Sequence, residues 1–169
     1  MALRFFTSSE STLEVVITCD PAIDATDEAK NEYLKTGDLS LLGDHEGATI
    51  FKLKALGPSE REEAEVKAGA YVRSELGRLL WIQQPTETEE RARWHHALEE
   101  DEREALAMYR NYLDKVYLEM VAKSLQTIDN EPASIDQIQM IQPDDARIVT
   151  ISELVVHIRR ISLLGDSGK

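Results

Sequence analysis

The sequence predicts an α+β fold, mostly helical: a small N-terminal antiparallel β element followed by a helical bundle. Three observations lead there. Residues 12–18 and 48–55 alternate apolar and polar side chains with the two-residue period of a strand, whereas beyond Gly57-Pro58 the apolar positions recur mainly at helical spacing. Aliphatic residues are plentiful, but the 169 residues include only two Trp, three Phe and five Tyr, so Leu, Ile, Val and Ala must build the core. The length is close to that of one domain. One compact unit is therefore expected, made of residues 1–56 (the β element with a helical insert) and residues 57–169 (the helical region).

Taken in order, Thr12–Thr18 sets Leu13, Val15 and Ile17 on one face and Glu14, Val16 and Thr18 on the other, which reads as a half-buried strand closed by Asp20-Pro21. Asp24–Lys35 has an acidic first turn and a lysine near its end, the charge order that suits a helix dipole. Glycines at 37, 43 and 47 make residues 36–47 a loop. In the second strand, Ala48–Ala55, Phe51, Leu53 and Ala55 share a face. Ser59-x-x-Glu62 has the form of a capping box and predicts a helix to about Ile82, with Ala64, Ala68, Val72, Leu76, Leu79 and Leu80 on one face. Gly69 and Gly77 within it each cost about 1 kcal/mol relative to alanine. Such a pair either admits another backbone at close range or is merely tolerated.

Thr86-x-x-Glu89 after Pro85 predicts a further helix to about Leu98 by the same capping logic. Between Glu100 and Ile128, the residues Leu106, Tyr109, Leu113, Val116, Tyr117, Met120, Val121, Ser124, Leu125 and Ile128 keep helical spacing and mark the main core helix, ended by Asp129-Asn130-Glu131-Pro132. Residues 134–148 read as a loop with a short helical turn or strand. Thr150-x-x-Glu153 caps a last helix whose apolar stripe is Ile151, Leu154, Val155, Ile158 and Ile161. Its reverse face carries Glu153, His157, Arg159 and Arg160, and Gly165 stops it.

Function is bounded first by charge. A net charge of −13 with no Lys/Arg cluster argues against a nucleic-acid backbone or an anionic membrane as partner. A single cysteine, Cys19, cannot form an intramolecular disulfide, and its place at a strand end predicts a small buried apolar role. The N-terminus lacks the apolar stretch of a signal peptide and no run suits a bilayer span, so an intracellular location is expected.

The motifs of phosphate-binding loops, dinucleotide folds, zinc proteases, dithiol sites and nucleophile elbows are missing, so no catalytic residue, cofactor or metal is expected. His95 and His96, with Glu99 and Glu100 four residues on, come nearest to a ligand set. Adjacent helical side chains point about 100° apart, however, so the two histidines cannot share one ion on a regular helix. His45 lacks an obvious partner, His157 lies beside the last apolar stripe, and the carboxylates at 60, 62, 63 and 65 suit a solvated helix start.

The second strand and its turn, GATIFKLKALGPSERE (47–62), resemble the strand-then-helix opening of tail assembly chaperones and related small morphogenesis proteins of tailed bacteriophages. The later segments KSLQTIDNEP (123–132) and ISELVVHIRRISLLGDSGK (151–169) are similar to the same group. The resemblance implies a non-enzymatic protein that binds a larger virion component, such as a tail tape measure, in the host cytoplasm. A permanent virion subunit at the neck or head–tail joint is the alternative. The stripe Ile151, Leu154, Val155, Ile158 and Ile161 is the candidate surface for that partner or for a homo-oligomer.

Overall fold

The computed structural model describes residues 11–68 and 75–163. Among them are seven α-helices and one four-stranded antiparallel sheet, an α+β and mostly helical architecture. Strand β1 (Thr12–Val15) pairs with β2 (Phe51–Lys54), as the two alternating segments predict. The sheet is then completed from beyond the long helix by β3 (Leu125–Ile128) and β4 (Glu131–Pro132), in the order β1-β2-β3-β4. The β element is thus not confined to residues 1–56, and the sheet ties the two halves of the chain together.

The long helix α5 covers Glu100–Ser124 and stops four residues short of the expected Ile128. Turn chemistry outweighs the apolar period there. Asp129 and Asn130 take φ of 51° and 67°, the left-handed pair that a two-residue hairpin with the sheet's own twist requires. Asp129 also donates its N–H to Ile50 O (2.8 Å) and accepts from Ile50 N through Oδ1 (2.8 Å), which fastens the hairpin to the entry of β2. The register steps from Lys52↔Thr127 to Leu53↔Leu125, leaving Gln126 as a bulge.

The capping residues differ from those expected. Helix α2 (Pro58–Lys67) takes Gly57 as N-cap, with Pro58 preset for the first helical position, and Glu60 rather than Glu62 accepts from Gly57 N at 2.9 Å. The expected single helix to Ile82 is described as α2 and α3 (Glu75–Gln83), while Gly69 and Val72 lie outside the described residues. A Cβ built on Gly77 would overlap the carbonyl oxygen of Ala105 and lie 2.9 Å from Tyr109 Cβ, so Gly77 does admit a close crossing of α3 on α5. Helix α4 (Thr88–Ala97) caps on Glu87 instead of Thr86, whose carbonyl accepts from Arg91. After α6 (Ile135–Gln139), α7 runs from Asp144 to Leu163 and so begins six residues before Thr150. Thr150 bonds back to Ala146 O inside the helix (2.8 Å) and caps nothing.

The main core fills the space between one face of β1–β3 and helices α5, α6 and α7. Val15, Phe51, Leu53, Met120, Val121, Ile138, Leu154 and Ile158 are all buried in it. Helix α1 (Asp27–Thr36) and a 3₁₀ turn at Leu39–Leu42 close a second cluster of Val16, Ile23, Tyr33, Leu42 and Ala48 on the other side of the strand end. Leu80, Leu98 and Leu106 form a third, beneath Trp94.

Helix α7 lies between the first two clusters, which gives its polar side an internal role. Glu153 accepts from Thr18 N (2.7 Å) and Thr18 Oγ1 (2.6 Å), satisfying the strand where β1 has run past its partner. The Tyr33 hydroxyl does the same for Val16, lying 3.1 Å from both its N–H and its carbonyl. One turn beyond Glu153, His157 is wholly buried, its ring centroid 5.0 Å from that of Tyr33, and neither ring nitrogen has a protein partner. Arg160 then donates to the carbonyls of Tyr33 (3.4 Å) and Leu34 (3.3 Å) in the last turn of α1, where the helix dipole favours a cation.

Candidate functional site

The five residues expected to form a partner face are mostly interior. Leu154 and Ile158 are 0% exposed and Val155 and Ile161 are also buried, because α7 is covered on two sides instead of one. Glu153 and His157 of the reverse face are buried as well, and only Arg159 is exposed, above the Tyr117 ring at 5.1 Å. The stripe therefore closes the protein's own core. Ile151 alone of the five reaches a surface groove.

That groove, of 450 Å³, runs between α5 and the first turns of α7 and is lined by Tyr117, Leu118, Ile148 and Ile151, with Asp114, Gln139, Arg147 and Ser152 as its polar members. On the opposite side of α6 lies a second cleft of 530 Å³. Its floor is Ile17, Phe51 and Ile138, buried members of the main core between the end of the sheet and α7. Pro21, Ile128, Ile141, Pro143 and Ala146 form its walls, and Cys19, Asp20, Thr49, Gln137, Gln142 and Thr150 supply its polar atoms.

Beside the two hollows, the turn from α6 into α7 and the first turns of α7 form a ridge in the chain that carries large apolar side chains into solvent: Met140 is 76% exposed, Ile148, which also lines the smaller groove, 56%, and Val149 39%. Their placement follows from the local sequence. Ser134 starts α6 with its backbone N–H bonded to Gln137 (2.8 Å), and Ile138 on the inner side of that single turn is fully buried. The next residues outward, Gln139 and Met140, face away from the core. Met140 and Ile148 were legible only as part of an uncertain stretch, since neither lies on a clean period.

Asp20 is fixed at the lip of the larger cleft. Its Oδ1 accepts from Ala22 N (2.9 Å) and its Oδ2 from Thr49 N (3.0 Å). Partial burial opposes ionisation, but these hydrogen bonds outweigh it and hold the carboxyl below the usual range, so the lip carries a permanent negative charge. Cys19 is exposed beside it, contrary to the buried role expected of it. Although the residue as a whole is exposed, partial desolvation of the sulfur first, and the Glu153 carboxylate second, push its thiol up, which disfavours the nucleophilic thiolate.

The histidines and glutamates that come nearest to a ligand set in the sequence are not on one helix. Helix α4 ends at Ala97, Leu98 and Glu99 are extended, and α5 begins at Glu100, so the i, i+4 pairing of His95 with Glu99 and of His96 with Glu100 is broken. Among the described residues no group of three or more His, Cys, Asp and Glu is placed to hold a metal ion, and no helix is long and apolar enough to cross a membrane. No family model, no curated protein and no solved structure matches the chain.

Proposed function

We propose that this chain is a non-enzymatic assembly protein of a tailed bacteriophage that binds another virion protein in the host cytoplasm, as a tail assembly chaperone does. The observation that carries the binding role is the apolar ridge of Met140, Ile148 and Val149 beside two hollows with apolar walls. Such a surface suits a partner's hydrophobic segment, which can lay side chains into the hollows beside the ridge. Ile148 and Val149 stand on the first turns of α7, whose remainder is held in the core, so little of their conformational freedom has to be lost when a partner docks. The acidic surface would keep the complex with an aggregation-prone partner in solution. The assignment to phage assembly rests on the resemblance of residues 47–62, 123–132 and 151–169.

A photo-crosslinking residue in place of Met140, introduced in the native host cell, tests the reading. We expect one adduct of defined mass containing a virion protein, and none from the same residue at the exposed Glu28 on α1. No adduct from position 140, or the same adducts from both positions, would refute it. Presence in purified particles at a fixed copy number would select the structural neck or head–tail subunit over the chaperone.

A further inference from the structure

We infer that the cleft between the sheet end and α7 takes a hydrophobic side chain from a partner segment that is cationic, and that it rejects the same segment in acidic form. The inference deepens the partner-binding reading and rests on it. The floor of Ile17, Phe51 and Ile138 offers apolar contact and no unsatisfied hydrogen-bonding group, so the inserted group must itself be apolar. The volume of 530 Å³ is at the scale of ligand-sized hollows and has room for a large aliphatic or aromatic side chain.

Charge decides what may surround that group. No Lys, Arg or His lines the cleft. Asp20 stands at its lip with both oxygens engaged by backbone N–H groups, so it cannot swing away from an approaching charge. The exposed Asp144 and Asp145 lie in the chain between the wall residues Pro143 and Ala146; Asp144 is paired with Arg147 at 3.1 Å, so Asp145 is the one that adds to the charge of Asp20, on a chain that carries −13 overall. A carboxylate beside the inserted side chain would meet the Asp20 charge with no cation in the cleft lining to offset it, whereas a lysine or arginine would be attracted.

Cys19, the chain's only cysteine, lies at the cleft and reports its occupancy. The full-length protein would be titrated with a labelled amphipathic peptide of leucine and lysine, and with its counterpart carrying glutamate at every lysine position. Anisotropy would follow binding, and the rate of Cys19 alkylation by iodoacetamide would follow occupancy of the cleft. We expect the lysine peptide to bind at least about tenfold more tightly than the glutamate peptide and to slow alkylation at least about fivefold at saturation. Ala146→Phe, which fills the cleft from its wall, and Gln142→Lys, which places a cation at it, should each weaken the lysine peptide at least about tenfold. Circular dichroism would establish that both variants fold.

Equal affinity for the two peptides would overturn the charge requirement. Binding of the lysine peptide with Cys19 alkylated at its free rate, or unchanged in both variants, would overturn the cleft as the site while leaving the partner-binding reading standing. Failure of both peptides to bind would overturn the inference, and the Met140 crosslink would then decide whether the wider reading survives.

Discussion

His157 makes the stability of this protein fall with mild acid by a calculable amount. The imidazole is fully buried, and burial first, then the neighbouring Arg160 charge, lower its pKa from 6.5 to about 3. The charged groups around it are Arg160 and, one turn earlier on α7, Glu153, while Tyr33 faces it from α1. The folded pKa lies below the unfolded one, so the unfolded chain binds the extra proton and stability rises with pH. The contribution is fully present above about pH 6.5 and is lost progressively as pH falls toward about 3. One pKa unit is 1.36 kcal/mol, so the loss between pH 7 and pH 5 comes to about 2 kcal/mol, and the full loss below pH 3 to about 5.

The window from pH 7 to pH 5 is the informative one, because ordinary carboxylates stay ionised across it. Urea unfolding at the two pH values, compared between the parent and His157→Phe, isolates the effect from His45, His95 and His96. The phenylalanine ring retains the packing on Tyr33 and cannot take up a proton. We expect the parent to lose about 2 kcal/mol and the variant to lose less than about 0.5. An equal pH slope in both proteins, or a flat parent, would refute the account of His157 as a neutral buried base.

Further expectations follow from the packing. Gly77→Ala should destabilise by about 1–3 kcal/mol in urea unfolding, since its Cβ has no room against the Ala105 carbonyl and α3 would have to lift from α5. Leu154→Ala should cost about 2–5 kcal/mol with no change of mass in solution; loss of an oligomer at unchanged stability would restore the α7 stripe as an interface. Tyr33→Phe should cost about 1–3 kcal/mol, because it leaves the N–H and carbonyl of Val16 without the hydroxyl that serves both. Ile148→Asp should leave the melting temperature within about 2 °C of the parent and abolish the Met140 crosslink, as the side chain lies mostly in solvent.

The sequence discloses those elements whose period is strong and whose ends are set locally. Thr12–Val15, Phe51–Lys54, α1 and most of α5 follow directly from alternation or from helical spacing. It misleads where two local rules compete. Leu125 and Ile128 continue the helical period of α5, yet the left-handed Asp129-Asn130 pair imposes a hairpin and draws them into the sheet. Ser59-x-x-Glu62, Thr86-x-x-Glu89 and Thr150-x-x-Glu153 all have the capping pattern, and none acts as a cap. Gly57, Glu87 and the Asp144 start of α7 set the helix ends instead. The candidate surface was the least legible feature, because an apolar stripe on one helix looks the same whether it meets the chain's own core or a partner.

What separates those cases for α7 is its polar side. A helix that shows solvent a polar face can leave that face unpaired, but Glu153, His157 and Arg160 recur at i, i+4 and i+7 and each has an internal task or position. Glu153 replaces a missing strand partner at Thr18, His157 packs on Tyr33, and Arg160 closes the carbonyl end of α1. Gly37 belongs to the same arrangement: at φ +76° it ends α1, and a Cβ there would overlap the Arg160 guanidinium. The stripe on a helix whose opposite side is so engaged cannot be released to a partner without also giving up the bonds of Glu153 to Thr18 and of Arg160 to α1, and leaving those charged groups buried and unpaired costs several kcal/mol. Within α7, the part that the core does not hold is the first turns from Ala146 to Val149, beside the two hollows, and it is there that the proposed partner would dock.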